Sequence, residues 1–156
     1  MDDAFFMQEA LKEAQAAFEA QEVPVGAVLV YQGRIIARAA NCVESMGDAT
    51  CHAEICCMKE GARLLGNWRL LDTTLYCTLE PCAMCAGAMA LFRIKRLVWG
   101  APDLRHGAHG SLVNLLDLSH PTHQIEVIKG VCADASAALM RNFFYKRRQE
   151  NGKVVR

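Results

Sequence analysis

Near the N-terminus, apolar residues recur at steps of three and four positions between polar ones. These apolar positions are Phe6, Met7, Leu11, Ala14 and Phe18. Such spacing predicts an amphipathic helix. Two short apolar runs follow at 25–31 and 34–40, separated by Gln32-Gly33. Two such runs around a two-residue turn predict a β-hairpin.

A polar segment and a second helix follow the hairpin. Residues 41–50 are polar and irregular, and they predict a loop that leads to His52. Apolar positions in 53–65 return to helical spacing, and Gly66-Asn67 is a typical stop signal. The pattern therefore predicts a helix that begins just after His52.

The middle of the chain predicts a strand, a helix and another strand. Residues 73–79 predict a buried strand. Pro81 predicts the first turn of a helix that continues to residue 92, because proline fits a first helical turn. Residues 94–99 predict the next strand.

The last third begins with a glycine-containing stretch. Residues 100–110 predict a loop, 112–118 a short helix and 124–129 a strand. Asp134 predicts the cap of a closing basic helix at about 134–150. Strands that alternate with helices predict an α/β domain, a three-layer α/β/α sandwich with a central mixed sheet of about five strands.

Composition sets limits on this picture. The chain has 156 residues, of which 53% are hydrophobic, so we expect one domain over residues 1–156. Its apolar runs are too short to span a bilayer, and its first residues lack the positive region of a secretory signal. Among its eight cysteines, Cys56 and Cys57 are adjacent. This usage predicts free thiols and metal ligands in a reducing, cytoplasmic compartment.

Charge is balanced overall but distributed unevenly. The net charge is zero, yet residues 1–22 carry six acidic side chains against Lys12, and residues 141–156 carry six basic side chains against Glu150. A basic end can bind phosphates although the whole molecule is neutral. A solvated basic tail explains the same pattern equally well.

Two short motifs carry candidate chemistry: His52-Ala53-Glu54, and Pro81-Cys82 followed by Cys85. Cysteines three positions apart at the start of a helix share a face, and with His52 they offer zinc three protein ligands. Closed structural zinc sites normally have four, so this set predicts a zinc centre that keeps a position for water. Glu54 is then the candidate general acid and base.

Three other interpretations of these residues compete. Residues two apart on a regular helix point to different sides, so Glu54 can instead be an exposed first-turn glutamate. The Cys82 and Cys85 pair can be a redox couple, although His52 and Glu54 then have no role. Cys51, Cys56 or Cys57 can supply a fourth ligand and make the zinc site purely structural, and Cys51 is the main candidate because it is the neighbour of His52.

With these motifs the chain resembles the zinc-dependent nucleoside and nucleic-acid deaminases. Further segments are similar to the bacterial tRNA-specific adenosine deaminases, from about Gln8 to Glu150. These segments are 22–30, 78–82, 107–111 and 143–150. The resemblance implies a cytidine-deaminase-like fold and a homodimer with one zinc ion per subunit. It also implies that adenosine at the wobble position of a tRNA anticodon, usually of an arginine tRNA, becomes inosine.

Site residues follow from the same resemblance. It implies that His52, Cys82 and Cys85 hold zinc and that Glu54 moves protons from activated water to the adenine. It implies further that a second set of residues contacts the substrate. These are Asn41, Ala53, Asp103, Arg105, Phe144, Arg147 and Arg148. Of these, Phe144, Arg147 and Arg148 would bind the anticodon stem-loop.

The chain departs from the family pattern in two loops. Alanine and cysteine occupy positions 49 and 51, where the family usually has proline and alanine, and Pro102, Arg105, His106 and His109 are also unusual. A deaminase of free nucleosides, nucleotides or bases is the alternative activity. A second alternative is a zinc-stabilised binding subunit that does not catalyse a reaction. Such subunits typically lack the glutamate found here as Glu54.

Overall fold

The computed structural model describes residues 2–151 as a five-stranded sheet with helices on both sides. The helices are α1 (Asp3–Glu19), α2 (Val43–Met46), α3 (Ala53–Leu65), α4 (Ala83–Phe92) and α5 (Ala133–Asn151). The strands are β1 (Gly26–Tyr31), β2 (Arg34–Ala40), β3 (Thr73–Leu79), β4 (Arg96–Ala101) and β5 (Glu126–Lys129). No helix in this part of the chain is long and apolar enough to cross a membrane.

The sheet is mixed, as the sequence predicts, and its strand order is β2-β1-β3-β4-β5. The strand β1 runs antiparallel to both β2 and β3, whereas β3, β4 and β5 are parallel. Every residue of the central strand β3 is buried. A short apolar run between turn signals is the pattern that such a strand requires.

Alternation along the strands divides the core between the two faces. Val28, Tyr76 and Val98 point toward α1, where Phe6 and Met7 are buried. On the other face, Leu29, Leu75 and Leu97 pack with residues of α3 and α4 such as Met58 and Met89. Helix α5 packs beside α1 and against β4. The result is the three-layer α/β/α sandwich expected from the sequence.

The prediction of a short helix at 112–118 is wrong. The backbone N–H groups of Leu112 and Leu115 donate to the carbonyls of Gly107 and Ala108, at 2.9 Å each. These bonds fold the segment back onto the preceding loop, so its N–H groups are not available for helical i→i−4 bonds. Apolar spacing alone could not distinguish the two outcomes.

Smaller differences occur at element boundaries. The predicted loop 41–50 contains the one-turn helix α2. Pro81 lies before Cys82, which is the N-cap of α4, so proline is not in the first turn as predicted. The strand β4 extends through Gly100, which the sequence assigned to a loop. Lys153 and Arg156, which belong to the basic end, lie outside the described residues.

One end of the sheet gathers residues that are distant in sequence. Gly26, the first residue of β1, pairs with Ala40 at the end of β2, and Leu79 at the end of β3 pairs with Ala101 at the end of β4. The Gly26 N–H also donates to the Thr78 hydroxyl at 3.1 Å. Asn41, Cys82 and Asp103 therefore emerge at the same edge, where α/β sheets place their sites.

Candidate metal centre and active site

His52, Cys82 and Cys85 meet at this edge of the sheet. The Nδ1 atom of His52 lies 3.6 Å from the Sγ atom of Cys82 and 3.6 Å from that of Cys85. Ligand atoms about 2.0–2.3 Å from a tetrahedral zinc ion are separated by roughly 3.3–3.8 Å. The ligand atoms of these residues are therefore spaced as a zinc centre requires, which supports the predicted ligand set.

Two helix N-termini present these ligands. His52 is the N-cap of α3 and Cys82 the N-cap of α4, both with extended backbone. Neither side chain caps its own helix, so the imidazole and the thiol are free to face each other. Cys85 lies one turn into α4 on the side of Cys82. The positive ends of both helices face the centre and favour negative charge there.

The thiols are already arranged for metal binding. A hydrogen bond with the Cys85 thiol lowers the pKa of Cys82 to about 4 and raises that of Cys85. The hydrogen bond with Cys82 raises the pKa of His52. Cys82 is therefore favoured as a thiolate, the form that binds zinc. Soft sulfur ligands with one imidazole are a donor set that zinc commonly takes.

The carboxylate of Glu54 is buried beside these ligands. Its side chain is buried, the residue being 3% exposed, and its Oε1 atom has no hydrogen-bond partner among the described residues. Burial raises the pKa of Glu54 to about 7. A buried carboxylate oxygen without a partner is costly, so its position next to metal ligands indicates a functional role rather than an exposed first-turn glutamate.

The cap geometry explains how Glu54 reaches the centre. His52 has φ −70° and ψ 150°, so it lies outside the regular helix that begins at Ala53. The rule that residues two apart diverge applies within a helix and does not apply across this cap. Glu54 and His52 can therefore share one site.

Cys51 does not join this group. Its sulfur lies in a separate cluster with those of Cys42 and Cys56, in which all three sulfur atoms are within 4.8 Å of one another. The sequence-based alternative in which Cys51 completes a closed structural site is therefore wrong.

Asn41 and Ala53 flank the centre. Asn41 is 8% exposed, and its side-chain N–H donates to the Val23 carbonyl at 3.2 Å. This bond fixes the amide and leaves its oxygen without a partner among residues 2–151. Ala53 is fully buried as the first residue of α3. Both remain predicted substrate contacts.

The loop after β4 carries Asp103 and Arg105. The Asp103 carboxylate accepts the backbone N–H groups of Arg105 and His106, at 3.2 Å each. It is close enough to influence His52 electrostatically. Arg105 is exposed. The structure thus brings Asp103 near the centre, whereas the Arg105 side chain points to no partner in the described chain.

Glu80 organises this loop, a role that sequence reasoning missed. Its buried carboxylate accepts the N–H groups of Asp103, His109 and Ser111 at 2.8–3.2 Å and the Ser111 hydroxyl at 2.5 Å. Burial alone would raise its pKa, but these hydrogen bonds outweigh burial and lower it. A Cβ atom at Gly107 would overlap the carboxyl group, which explains glycine there. A charged residue directly after a strand predicted to be buried was the available signal.

Glu22 has a similar role on the other side of the centre, and sequence reasoning missed it as well. Glu22 is 2% exposed, and its carboxylate accepts the N–H groups of Glu44 and Ser45 at 2.9 and 2.6 Å. It therefore caps α2 and holds the segment that follows Asn41.

Phe144, Arg147 and Arg148 lie on α5, away from the three metal ligands. One Arg147 nitrogen donates to the Gln21 carbonyl at 2.9 Å, and the guanidinium lies 4.8 Å from the ring centroid of Phe143. Phe144 is half-buried, and Arg148 is exposed with no side-chain partner among residues 2–151. Arg147 thus fastens α5 to α1, while Arg148 is available to a ligand.

Comparisons with known proteins agree with this geometry. The sequence model of the cytidine and deoxycytidylate deaminase zinc-binding region matches residues 1–101. The chain is 46% identical to a tRNA-specific adenosine deaminase of Bacillus subtilis, over 95% of this chain and 92% of that protein. It is 47% identical to a chloroplastic tRNA(adenine(34)) deaminase of Arabidopsis thaliana over 93% of its own length, and spans 12% of that protein.

Solved structures give the same result. One, from biochemical and structural studies of A-to-I editing by tRNA:A34 deaminases at the wobble position of transfer RNA, is 44% identical with a TM-score of 0.83. The match covers 86% of this chain and 98% of the chain in that structure. A guanine deaminase from Nitrosomonas europaea is 23% identical with a TM-score of 0.73, over 90% of this chain and 83% of that one, and shares the fold.

Proposed function

Since the chain belongs to the cytidine and deoxycytidylate deaminase family and, within it, to the zinc-dependent tRNA-specific adenosine deaminases, we propose that it deaminates the wobble adenosine of a tRNA anticodon to inosine. We propose an arginine tRNA as the substrate, following the resemblance of its motifs. The observation that carries the reaction type is the buried, unpartnered Glu54 oxygen beside His52, Cys82 and Cys85.

The residues at the two helix N-termini have different proposed roles, metal binding and proton transfer. His52, Cys82 and Cys85 would hold zinc, which would lower the pKa of water and so supply a nucleophile near neutral pH. Glu54 accepts the proton of the water that adds to C6 of adenine and transfers it to N1. The same carboxylate then takes the proton of the new C6 hydroxyl and transfers it to the departing amine, so the C6 carbonyl forms as ammonia leaves. Adenosine and water give inosine and ammonia.

The residues around the centre support recognition of an extruded base. The target base leaves its stack to enter the pocket, which is easier in an anticodon loop than in a duplex. The free amide oxygen of Asn41 is suited to accept a hydrogen bond from the nucleoside, and we assign Ala53 to the wall of the pocket. Asp103 and Arg105 lie on the loop that borders this pocket, where RNA flanking the target base would pass.

Helix α5 supports binding of the anticodon stem-loop. Its exposed basic residues, including Lys146 and Arg148, can contact phosphates without reading sequence. The Phe144 to Arg148 segment thereby positions the RNA while the pocket selects the base.

A homodimer is part of the proposal. The helix α4 and residues 115–125 border an apolar groove of about 430 Å³. Leu91 and Leu118 in this groove are 66% and 58% exposed. Contiguous apolar surface of this kind typically marks a protein–protein contact, and the resemblance implies a second copy of the chain as the partner.

Mass-resolved nucleoside analysis of incubated RNA tests the proposed reaction. An arginine tRNA anticodon stem-loop with adenosine at position 34 should yield inosine, and the matched stem-loop with guanosine there should remain unchanged. Deamination of free adenosine, cytidine or guanine, with the stem-loop left unchanged, would favour the alternative of a small-molecule deaminase. Inosine in other isoacceptors but not in arginine tRNA would overturn the substrate assignment alone.

A further inference from the structure

We propose that Cys42, Cys51 and Cys56 form a second metal-binding site, which takes a thiophilic cation such as Zn²⁺ or Cu⁺. This site is distinct from the zinc centre of His52, Cys82 and Cys85, and it is independent of the proposed substrate. It also gives Cys51, where the family usually has alanine, a chemical role.

The sulfur spacing matches that of a metal site. All three Sγ atoms lie within 4.8 Å of one another, and those of Cys42 and Cys56 are 3.9 Å apart. Three sulfurs about 2.3 Å from one ion would be separated by roughly 3.8–4.0 Å. The cysteines can therefore meet one ion with small side-chain adjustments.

The backbone already holds the three cysteines together. The N–H of Cys42 donates to the Cys51 carbonyl at 3.1 Å, which joins the end of β2 to the segment before α3. The N–H of Cys56 donates to the His52 carbonyl at 3.1 Å, within the first turn of α3. Two segments thus converge, one that contains Cys42 and one that contains both Cys51 and Cys56, so an ion would bear little of the entropy cost of assembling them.

The ligand chemistry selects the class of cation. All three donors are sulfur, and all three residues are half-buried, which suits soft cations and disfavours Mg²⁺ or Ca²⁺. Each thiol releases its proton to solvent as it binds. With Zn²⁺ the three thiolates leave one net negative charge, which the positive N-terminal end of α3 favours.

Two of the three cysteines are close in sequence to the proposed metal ligand His52. Cys51 precedes His52 directly, and Cys56 follows it by one helical turn, yet neither sulfur joins the His52 group. A cation there would stabilise the N-terminal turn of α3 that also presents His52 and Glu54.

Metal stoichiometry of the holoenzyme tests the site. The protein is purified with its catalytic zinc under a phosphine reductant, exposed to Zn²⁺ or to Cu⁺ in separate samples, desalted and analysed by elemental mass spectrometry. The full-length chain should hold about two metal ions in at least one sample, one of them at the catalytic centre. Cys42→Ser, Cys51→Ala and Cys56→Ser should each hold about one.

Cys132→Ser is the matched control, because Cys132 is also half-buried but belongs to neither cluster. It should keep both metal ions. Cys51→Ala introduces the residue usual in the family, so loss of the second ion there cannot be attributed to a failed fold when the catalytic zinc is retained. One ion per chain in the parent protein with both cations would overturn the proposal, as would a second ion that persists in all three variants.

Alkylation mapping locates the ion. Bound metal should slow alkylation of Cys42, Cys51 and Cys56 at least tenfold and leave Cys132 unchanged. Slower alkylation of other cysteines on addition of the metal, beyond the protection that the catalytic zinc already gives Cys82 and Cys85, would contradict the assignment. A protein that is lighter by two hydrogen atoms because Cys42 and Cys56 form a disulfide, with no metal bound, would also contradict it.

Discussion

Among single residues, Glu54 is the one proposed to transfer protons during the reaction. Its carboxyl group is buried at the first turn of α3, one oxygen has no partner in the described chain, and burial raises its pKa to about 7. A group that takes and returns a proton works best when its pKa lies near the working pH. The residue is therefore suited to proton transfer and poorly suited to stabilising the fold.

Replacement of Glu54 with glutamine separates catalysis from metal binding. Glu54→Gln keeps the size of the side chain but removes the proton acceptor, so we expect inosine formation to fall by about 10²–10⁴-fold. Zinc content should not change, because Glu54 is not among the proposed ligands. Mass-resolved nucleoside analysis and elemental analysis measure the two quantities. Glu60→Gln, a change at a partly buried position of the same helix, is the control, and near-normal activity of Glu54→Gln would refute the assignment.

Single residues also show what could be predicted from the sequence. The grouping of His52, Cys82 and Cys85 could be predicted, although 30 positions separate His52 from Cys82, because both motifs have residue types and spacings typical of zinc ligands. Glu80 and Glu22 could not be assigned a role, because each carboxylate accepts backbone N–H groups from a segment about 20 to 30 residues away. Such pairings depend on the sheet order, which hydrophobic periodicity does not determine.

At the scale of elements, helix α5 has two differently placed arginines. Arg147 is bonded to the Gln21 carbonyl and stacked on Phe143, so it anchors the helix. Arg148 is exposed and has no side-chain partner in the described chain. The charge pattern of the sequence made these two residues equivalent, and only their contacts distinguish them.

This difference predicts unequal effects on RNA binding. Arg148→Gln should weaken binding of the anticodon stem-loop and reduce the slope of log affinity against log salt by about one, because one phosphate contact is lost. Truncation after Phe143 should weaken it further and leave zinc bound. Arg34→Gln, at the opposite end of the sheet, is the matched control. Binding titrations at several salt concentrations measure these changes, and an unchanged affinity in both α5 variants would exclude this helix from the interface.

The elements themselves were predicted well wherever packing follows periodicity. The buried strand β3 and the amphipathic helix α3 have the predicted bounds. The segment 112–118 differs because its N–H groups bond to the carbonyls of Gly107 and Ala108. Tertiary hydrogen bonds of this kind override a weak local preference for helix.

At the scale of the whole molecule, Asp3 links the first helix to the sheet. Its carboxylate accepts two hydrogen bonds from Arg96 and one from Tyr76, all at 2.7 Å. The hydrogen bond with Arg96 is the main cause of its lowered pKa. Ninety-three positions separate Asp3 from Arg96, so this contact closes the fold.

A pH dependence of stability follows from this contact. A carboxylate whose pKa is lower in the folded state stabilises the protein above its unfolded pKa of about 3.9 and loses that contribution as pH falls through the folded value. Asp3→Asn should therefore cost about 1–3 kcal/mol at neutral pH, and the difference from the parent should shrink below about pH 4. Denaturant unfolding at a series of pH values measures it. Exposed Asp72→Asn should show no such trend, and a difference for Asp3→Asn that is constant with pH would contradict the prediction.

The apolar groove beside α4 gives the last test, because a proposed homodimer must cover it. Leu91 is 66% exposed there, so Leu91→Glu leaves the core of the subunit intact but places a charge in the contact. We expect light scattering to give a mass near 17.2 kDa for this variant and twice that value for the parent protein. Leu64→Glu, on α3 and 52% exposed outside the groove, should remain dimeric. A monomeric parent protein, or a Leu91→Glu variant that remains a dimer, would exclude this groove as the interface. Zinc retained in the parent protein and in the variant would show that each subunit had folded.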